Sequence, residues 1–413
     1  MNGAQRARSA LAAPAFRRLW LAGVVSDTGD WFLFVALPLV VLRLSGSAAG
    51  ASLAFVLELA PTVVLAPVAA RLAVRFDRRL LMVCTNLGQA LALVPLVFVH
   101  EASQLPIVYV VIAAHASLAA LFEPAKNSLL PALVDEDQLV SANGLVGLGQ
   151  NLGRLVGGPL GGVALAAGGL PLVAAVDAAS FVVSAVLIAS LPRGAGRRIA
   201  PAPEAETDAT PGVLAAFRLL PLRPVFLIVS LASVAQGMFL VLFLLFVTGP
   251  LEGTAADVGV LRGVQAVGAI LAGLALGFLA RGATPRALTV GSVLAFGLLS
   301  LITWNLPRLT TELWPYVVLF AVVGAPGVVM MTGVVSVLQT SAPARSLPAA
   351  FAALGLIAAV GQAAGILIAG LAGIPGLLQP LLDVQAALYL CTGVVGLVWL
   401  RRPAPAKTAL SRP

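Results

Sequence analysis

The sequence predicts an all-α membrane protein with twelve transmembrane helices in two pseudo-symmetric six-helix bundles. Of its 413 residues, 60% are hydrophobic and only 10% are charged, whereas a soluble domain carries about a quarter charged residues. The mean hydropathy of +1.03 comes from a series of apolar runs suited to cross about 30 Å of hydrocarbon as helices. The runs are continuous rather than alternating, which excludes a transmembrane β-barrel.

The apolar runs form two groups of six. The first six are 19–42, 48–70, 80–99, 105–121, 145–167 and 170–191, and the second six are 225–247, 258–280, 287–304, 313–338, 351–371 and 381–400. A polar segment rich in Pro and Ala separates them and predicts a flexible linker. We therefore expect an N-terminal bundle over 1–191, a linker over 192–223 and a C-terminal bundle over 224–413. Weak similarity between 145–162 and 356–373, including Gly149-Gln150 and Gly361-Gln362, indicates an internal duplication.

The distribution of basic residues predicts the orientation in the membrane. Of the 25 Lys and Arg residues, Arg43 and Arg308 fall on one side, and Arg154 and Arg262 fall within spans. All the others lie on the side of both termini. The positive-inside rule then places both termini in the cytoplasm, for a multi-pass protein of the cell inner membrane. This distribution also explains the pI of about 10.6 without a nucleic-acid partner.

Ionisable residues within the spans are the main functional signal. Asp27 and Asp30 lie three residues apart on one face of the first span, and Glu58 and His115 lie near the middle of the second and fourth. A charge at the bilayer centre costs at least about 2.5–3.5 kcal/mol, so such groups must be paired or face water. We expect Arg154 of the fifth span, the one deeply placed cation of the first half, to pair with one of these acids in a polar cavity.

One arginine cannot neutralise three carboxylates. At least one carboxyl group is then expected to bind a proton near neutral pH, which is the physical requirement for proton coupling. The open alternative is a structural ion-pair network that fixes the packing of the helices. Four glutamines within spans are further candidates for contact with a substrate: Gln150, Gln236, Gln265 and Gln362.

Two acids near the outer ends of their spans, Asp177 and Asp383, are expected to serve as helix caps or structural hydrogen-bond acceptors. The two cysteines, Cys84 and Cys391, are far apart and predict neither a disulfide nor a metal site. With two histidines and no nucleophile motif, the chain is not expected to be an enzyme, and we expect no cofactor and no metal.

The fifth span carries a ladder of small residues. These residues are Gly153, Gly157, Gly158, Pro159, Gly161 and Gly162. Small residues let helix backbones approach closely in lipid, where no hydrophobic force drives association. The ladder predicts either static packing or a surface on which the two halves move against each other.

Several motifs together resemble one family. They are FRRLWLAGVVSDTGDWF from Phe16, AARLAVRFDRRLL from Ala69, FEPAKNSLLPALV from Phe122, GRLVGGPLGG from Gly153 and VDAASFVVSA from Val176. In order and spacing they resemble the major facilitator superfamily, particularly its bacterial efflux branch of enterobactin-exporter-like and multidrug proton antiporters. The resemblance covers nearly the whole chain. It implies two bundles around a central cavity, alternating access, and proton-driven export of a hydrophobic or amphiphilic small molecule.

The loop after the second span departs from the family pattern. The gating residues that remain are Arg75, Asp77, Arg78 and Arg79. Ala70 and Val74 stand where the family usually has a glycine and an aspartate, so it stays open whether this loop latches the cytoplasmic gate. Arg154 likewise occupies the first small position of the antiporter motif.

The partners expected from this resemblance are a small-molecule substrate, protons and the lipid bilayer, and we expect a monomer. Two alternatives remain open at this point. One is a transporter of a polar metabolite, which would need more polar residues in the cavity. The other is a membrane sensor or scaffold that transports nothing and could dispense with the buried acids.

Overall fold

The computed structural model describes residues 10–192, 222–279, 283–342 and 346–399, and it is helical without any strand over these ranges. Ten helices within them are long and apolar enough to cross a membrane, and an eleventh crossing is formed by a bent helix pair. The predicted all-α membrane fold is therefore confirmed. Residues 193–221 of the predicted linker lie outside the described ranges.

Six helices form the first half. They are α1 (Pro14–Ser45), α2 (Ala48–Val64), α3 (Ala66–Arg75), α4 (Arg78–Leu93), α5 (Leu105–Leu129) and α6 (Leu139–Ala189). The second predicted span corresponds to α2 and α3, which meet at an angle of 50°. Pro61 lies inside α2 and Pro67 lies in the first turn of α3. Because proline has no backbone N–H to donate, the helix bends between them.

Helix α6 accounts for both the fifth and the sixth predicted spans. It has 51 residues and one non-helical position, Gly169, with φ 64° and ψ −165°. Glycine adopts this conformation at little cost because it has no Cβ. The limbs before and after Gly169 extend roughly 45 and 30 Å at 1.5 Å per residue. Each limb is long enough to cross a bilayer, which is consistent with twelve crossings.

Six helices also form the second half. They are α7 (Arg223–Thr248), α8 (Ala255–Leu279), α9 (Pro285–Asn305), α10 (Leu313–Ser341), α11 (Leu347–Ala369) and α12 (Leu378–Trp399). Helix α1 packs on α6, and its counterpart α7 packs on α11 and α12. Helix α4 packs on α5 and α6, and its counterpart α9 packs on α10 and α12. This repetition of neighbours agrees with the predicted pseudo-symmetry.

The two ends of the molecule are packed differently. We define the linker face as the end at which α1 and α7 begin, and the far face as the opposite end. The largest apolar core joins both halves near the far face, with members such as Leu39 and Phe55 of the first half and Phe243 and Trp304 of the second. Toward the linker face, the described buried residues separate into clusters that each belong to one half. The halves thus meet at the far face.

The contact between the halves follows two helix pairs. The first limb of α6 packs on α8, and α2 packs on α11. At the far end of the second pair, Ser52 lies beside Gly370 and Ala48 beside Gly373. Small residues at these positions allow the two backbones to approach closely.

Candidate functional site

A cavity of about 320 Å³ lies in the first half between α1, α2 and α5. Its polar lining includes Asp30, Glu58, Thr62 and His115, and the rest is mainly aliphatic and aromatic. Three of the predicted site residues thus share one cavity. The family resemblance implied a central cavity between the two bundles, whereas all the lining residues of this cavity belong to the first half.

The side chains of Asp30 and His115 lie next to each other in this cavity, close enough for an ion pair when the histidine is protonated. His115 Nε2 lies 3.5 Å from Asp30 Oδ1, and the side chains are 16% and 40% exposed, respectively. Gln89 of α4 places its Nε2 atom 3.3 Å from the same ring nitrogen. The ring of Phe181 from α6 covers the imidazole, with the ring centres 5.4 Å apart. The histidine is therefore fixed by neighbours from three helices.

Asp177 lies beside Asp30 and His115, and we call these three residues the Asp30 cluster. A helix cap or a structural hydrogen-bond acceptor had been expected at Asp177. It lies in the second limb of α6 and is fully buried. Its Oδ1 atom accepts a hydrogen bond from Ser180 at 3.1 Å, and its Oδ2 atom has no hydrogen-bond partner. One ligand atom each from Asp30, His115 and Asp177 lies within 4.8 Å of the others. The motif beginning at Val176 was the sequence signal for this residue.

Gly29 makes this close approach possible. A Cβ atom at Gly29 would overlap the Asp177 Oδ1 and Ser180 Oγ atoms. Helix α1 can therefore bring Asp30 next to the second limb of α6 only because residue 29 lacks a side chain. The Gly-Asp pair of α1 is thus explained by packing as well as by charge.

Arg154 lies away from the acids that it was expected to neutralise. Its Nε atom donates to the carbonyl oxygen of Arg262 at 3.1 Å, and its Nη2 atom donates to Gln265 Oε1. Its guanidinium carbon lies 5.0 Å from the centre of the Trp31 ring. Over the described residues it makes no ion pair with a carboxylate, so the predicted pairing is wrong. The packing of α6 on α8 turns the side chain toward acceptors in the other half.

Arg262 of α8 is buried, and the sequence had marked it only as a charge within a span. Its guanidinium carbon lies 5.0 Å from the ring centres of Phe34 and Phe239 and 5.2 Å from that of Phe243. We call these three rings the aromatic cage. Cation–π contacts stabilise a desolvated guanidinium by up to about 2 kcal/mol. Phe34 also lines the cavity, so the cage lies directly beside it.

Asp27 is neither a cavity-lining residue nor a member of the Asp30 cluster, and it packs against Gly153 of α6. A further buried cation, Lys126, had been expected in a loop. Lys126 lies within α5, is 5% exposed, and its Nζ atom is 2.5 Å from Glu123 Oε1. The fourth span was predicted to end at residue 121, whereas the helix continues to Leu129. Lys126 is therefore a second cation within a span of the first half, where only Arg154 had been expected.

Polar side chains of the second half form hydrogen bonds between neutral groups, in contrast to the charged Asp30 cluster of the first half. Tyr389 Oη donates to Gln236 Oε1 at 3.1 Å, and Trp304 Nε1 donates to Gln385 Oε1 at 2.9 Å. Gln265 is 4% exposed, and its Nε2 atom has no partner. Gln362 packs with its backbone against Gly237.

The two remaining polar candidates lie outside the cluster. Gln150 is exposed on α6. Asp383 accepts hydrogen bonds from Asn305 at 3.2 Å and from Gln379 at 3.1 Å, so the structure gives it the acceptor role that was expected.

The small residues of the first limb of α6 form two stripes. Gly153, Gly157 and Gly161 face α1, where added Cβ atoms would overlap residues 27–32. Gly158 and Gly162 face α8 of the other half.

Pro159 joins the second stripe, with its ring against Gly263. The first stripe therefore packs within its own half. The stripe of Gly158, Pro159 and Gly162 forms the α6 side of the contact with α8, which is one part of the interface between the halves.

The predicted gating residues lie at the linker face. Asp77 accepts from the backbone N–H of Leu80 at 2.9 Å and thereby caps α4. Arg79 donates to the carbonyl oxygens of Ile188 and Ala189 at the end of α6. Arg75 is exposed.

Arg78 is buried, and its Nε and Nη1 atoms have no hydrogen-bond partner. In the second half, Arg286 donates to the carbonyl oxygen of Leu397 at 3.0 Å, just as Arg79 does at the end of α6. Cations at helix C-termini are favourable because of the helix dipole. The duplication thus extends to single contacts.

Comparisons with known proteins agree with this architecture. Residues 19–366 match the family model of the Major Facilitator Superfamily. YfiS of Bacillus subtilis, named an uncharacterized MFS-type transporter, is 33% identical over 204 residues, which are 49% of this chain and 48% of YfiS. The chain thus matches about half the length of that relative. The enterobactin exporter EntS of Citrobacter koseri is 28% identical over 299 residues, 70% of each chain.

A solved structure also shares the fold. It is the crystal structure of a bacterial homologue of the iron transporter ferroportin in an inward-facing state, with a TM-score of 0.73 and 17% sequence identity. The similarity covers 94% of this chain and 99% of that one.

Proposed function

Because the chain belongs to the Major Facilitator Superfamily, we propose that it is a secondary active transporter that exports a hydrophobic or amphiphilic small molecule in exchange for protons. The name of the relative EntS, an enterobactin exporter, supports the direction and a drug-like or siderophore-like substrate. The cavity lining supports the substrate class, since most of it is apolar around a few polar groups. Such a lining suits an amphiphile better than a polar metabolite.

The observation that carries this proposal is the unequal packing of the two faces. One apolar core joins the halves at the far face, whereas the buried clusters toward the linker face each belong to one half. Alternating access requires two bundles that can meet at one face while parting at the other. The basic residues support a cytoplasmic linker face. In that orientation, the structure corresponds to an inward-facing state.

We place the coupling proton on Glu58. Its side chain lines the cavity, and it forms no ion pair within the described ranges. His115 and Asp30 line the same cavity, and Arg262 lies beside it against Phe34. An ionised carboxylate inside a membrane bundle without a close cation is costly. Binding a proton removes that cost, and a change in exposure between the two states can then release the proton.

The test is flux into everted membrane vesicles with an imposed pH gradient, acid inside. The probes are a panel of hydrophobic and amphiphilic fluorescent compounds, with enterobactin included. We expect at least one compound to accumulate in vesicles that contain the protein and to stop accumulating when nigericin collapses the gradient. Glu58→Gln should lose this gradient-driven accumulation while its abundance in the membrane stays normal.

Two controls make the test decisive. Vesicles without the protein report passive partitioning, and Ser103→Ala changes an exposed polar residue between α4 and α5, outside the cavity lining. Accumulation that is insensitive to nigericin would exclude proton exchange. Undiminished accumulation in Glu58→Gln would remove Glu58 from the coupling step.

A further inference from the structure

We propose that Asp30, His115 and Asp177 form a binding site for a divalent transition-metal ion. Each residue comes from a different element, α1, α5 and the second limb of α6, and each offers one ligand atom. These three atoms lie within 4.8 Å of one another. Ligands bound at about 2.0–2.2 Å from a shared ion lie within about 4.4 Å of each other, so a small contraction is sufficient. No metal site was expected from the sequence, which has two histidines and no recognisable spacing of metal ligands.

The state of Asp177 is the second observation that points to a cation. The side chain is fully buried, and its Oδ2 atom has no hydrogen-bond partner. A buried carboxylate oxygen without a partner costs free energy that a native structure normally avoids. The other oxygen is held by Ser180 at 3.1 Å. The free oxygen therefore belongs to a carboxylate that is already fixed beside His115 and Asp30.

The donor set indicates which ions would bind. One imidazole nitrogen with two carboxylate oxygens suits Mn²⁺, Fe²⁺, Co²⁺ or Zn²⁺. Mg²⁺ and Ca²⁺ prefer oxygen ligands alone. One neighbour has the position of a supporting residue, which orients a metal ligand. Ser180 holds one oxygen of Asp177.

The site has a route to the cavity. Asp30 and His115 both line the cavity, and the Asp30 side chain is 40% exposed. Asp177 is fully buried, and its Oδ1 atom lies against Gly29 of α1. An ion arriving through the cavity would meet Asp30 and His115 first and Asp177 last.

This inference goes beyond the proposed transport function and depends on different residues. Proton exchange is assigned to Glu58, which is not one of the three ligands. The binding test gives the same result whether the bound metal ion stays in the protein or is transported by it. The two proposals can therefore fail separately.

The test is titration of the purified full-length protein in detergent, without a polyhistidine tag, with Co²⁺. Visible absorption reports coordination of Co²⁺, and competition with Zn²⁺ and Mn²⁺ gives their relative affinities. We expect one ion per chain, with Mg²⁺ and Ca²⁺ unable to displace it. Asp177→Asn and His115→Gln should each weaken binding at least about tenfold, and Ser180→Ala by about 10- to 100-fold, as for other residues that orient metal ligands.

Two matched controls separate this site from adventitious binding. The other histidine, His100, is exposed at the far face, so His100→Gln should bind Co²⁺ like the unaltered protein. Glu58→Gln changes a cavity acid outside the ligand set and should also bind normally, although it loses proton-driven flux. Melting temperature and gel-filtration profile show whether each variant is folded.

Three outcomes would overturn the proposal. They are the absence of stoichiometric Co²⁺ binding, unchanged binding in folded His115→Gln, and loss of binding in His100→Gln alone. If Asp177→Asn does not fold, His115→Gln still decides the question, because its glutamine keeps a polar group of similar reach. Loss of flux in Glu58→Gln with no metal binding in any variant would reject this inference and leave the proposed function intact.

Discussion

Arg154 in the first half donates a hydrogen bond from Nε to the backbone carbonyl oxygen of Arg262 in the second half, at 3.1 Å. The same guanidinium also donates to Gln265 Oε1. These bonds join α6 to α8 across the interface between the halves. Under the alternating access proposed above, these bonds must change when the halves rock against each other, so we expect Arg154 to take part in that change rather than in charge balance in the cavity.

A double-mutant cycle can measure this contact. Arg154→Ala and Gln265→Ala should each lower thermal stability in detergent, and the two effects should be non-additive by about 0.5–3 kcal/mol, as expected for residues in contact. The matched cycle pairs Arg154→Ala with Glu58→Gln, and there we expect additive effects. Coupling of Arg154 to Glu58 instead of Gln265 would restore the charge-balance role predicted from the sequence.

The aromatic cage around Arg262 should stabilise the state in which the far face is closed. Phe34 belongs to the first half, whereas Arg262, Phe239 and Phe243 belong to the second. Phe34→Leu keeps an apolar side chain but removes one cation–π contact, which contributes about 0.5–2 kcal/mol. We therefore expect it to populate a state with an open far face.

Spin labels can report this opening. Arg43 and Arg308 are exposed at the far face in opposite halves, so Arg43→Cys and Arg308→Cys provide the label sites after Cys84 and Cys391, which are also exposed, are replaced by serine. Phe34→Leu should add a population with a longer distance. Phe296→Leu, whose ring stacks on Tyr389 within the second half, should not. Equal distributions in the two variants would exclude a gating role for the cage.

The fold was predictable from the sequence because the hydrocarbon thickness sets the length of a span, and because basic residues mark its ends. The bend between α2 and α3 and the break at Gly169 follow from proline and glycine, both visible in the sequence. The end of α5 was misplaced because residues 122–129 continue the helix with polar side chains. Lys126, inside that extension, was therefore assigned to a loop.

The contacts between the site residues were harder to predict than the identity of those residues. Asp30, Glu58 and His115 share a cavity, as the cost of burying charge required. Which charged side chains contact each other depends on the rotation of each helix about its own axis. The sequence of an apolar span constrains that rotation only weakly. Arg154 therefore turned out to face α8, and Asp177 turned out to face Asp30 and His115 although it is far from both in sequence.

The two terminal arginine contacts test the internal duplication energetically. Arg79 and Arg286 occupy equivalent places and cap the final carbonyl oxygens of α6 and α12. Arg79→Ala and Arg286→Ala should each destabilise the protein by a similar amount, about 0.3–1 kcal/mol. Arg17→Ala, at an exposed position of α1, is the control and should have little effect. A large loss of stability in only one of the two variants would show that the equivalent contacts do not contribute equally in the two halves.

The stripe of Gly158, Pro159 and Gly162 predicts a position at which a single methyl group interferes with the interface. A Cβ at Gly158 would lie 2.9 Å from the carbonyl oxygen of Gly259 and 3.2 Å from the Cα of Gly263. The first distance is too short for an unstrained contact, and overpacking of this kind costs about 1–3 kcal/mol. Because backbone rather than a flexible side chain opposes the methyl group, α6 and α8 must move apart.

Gly158→Ala should therefore reduce the population with a closed far face, lengthen the distance between labels at residues 43 and 308, and slow transport. Gly147→Ala is the matched control on the same helix, since its Cβ would meet nothing within 4 Å, and it should behave like the unaltered protein. The same distance measurement and vesicle flux report both variants. If the two alanine variants give the same distances and the same flux, close approach of α6 and α8 at Gly158 is not required for the closed state.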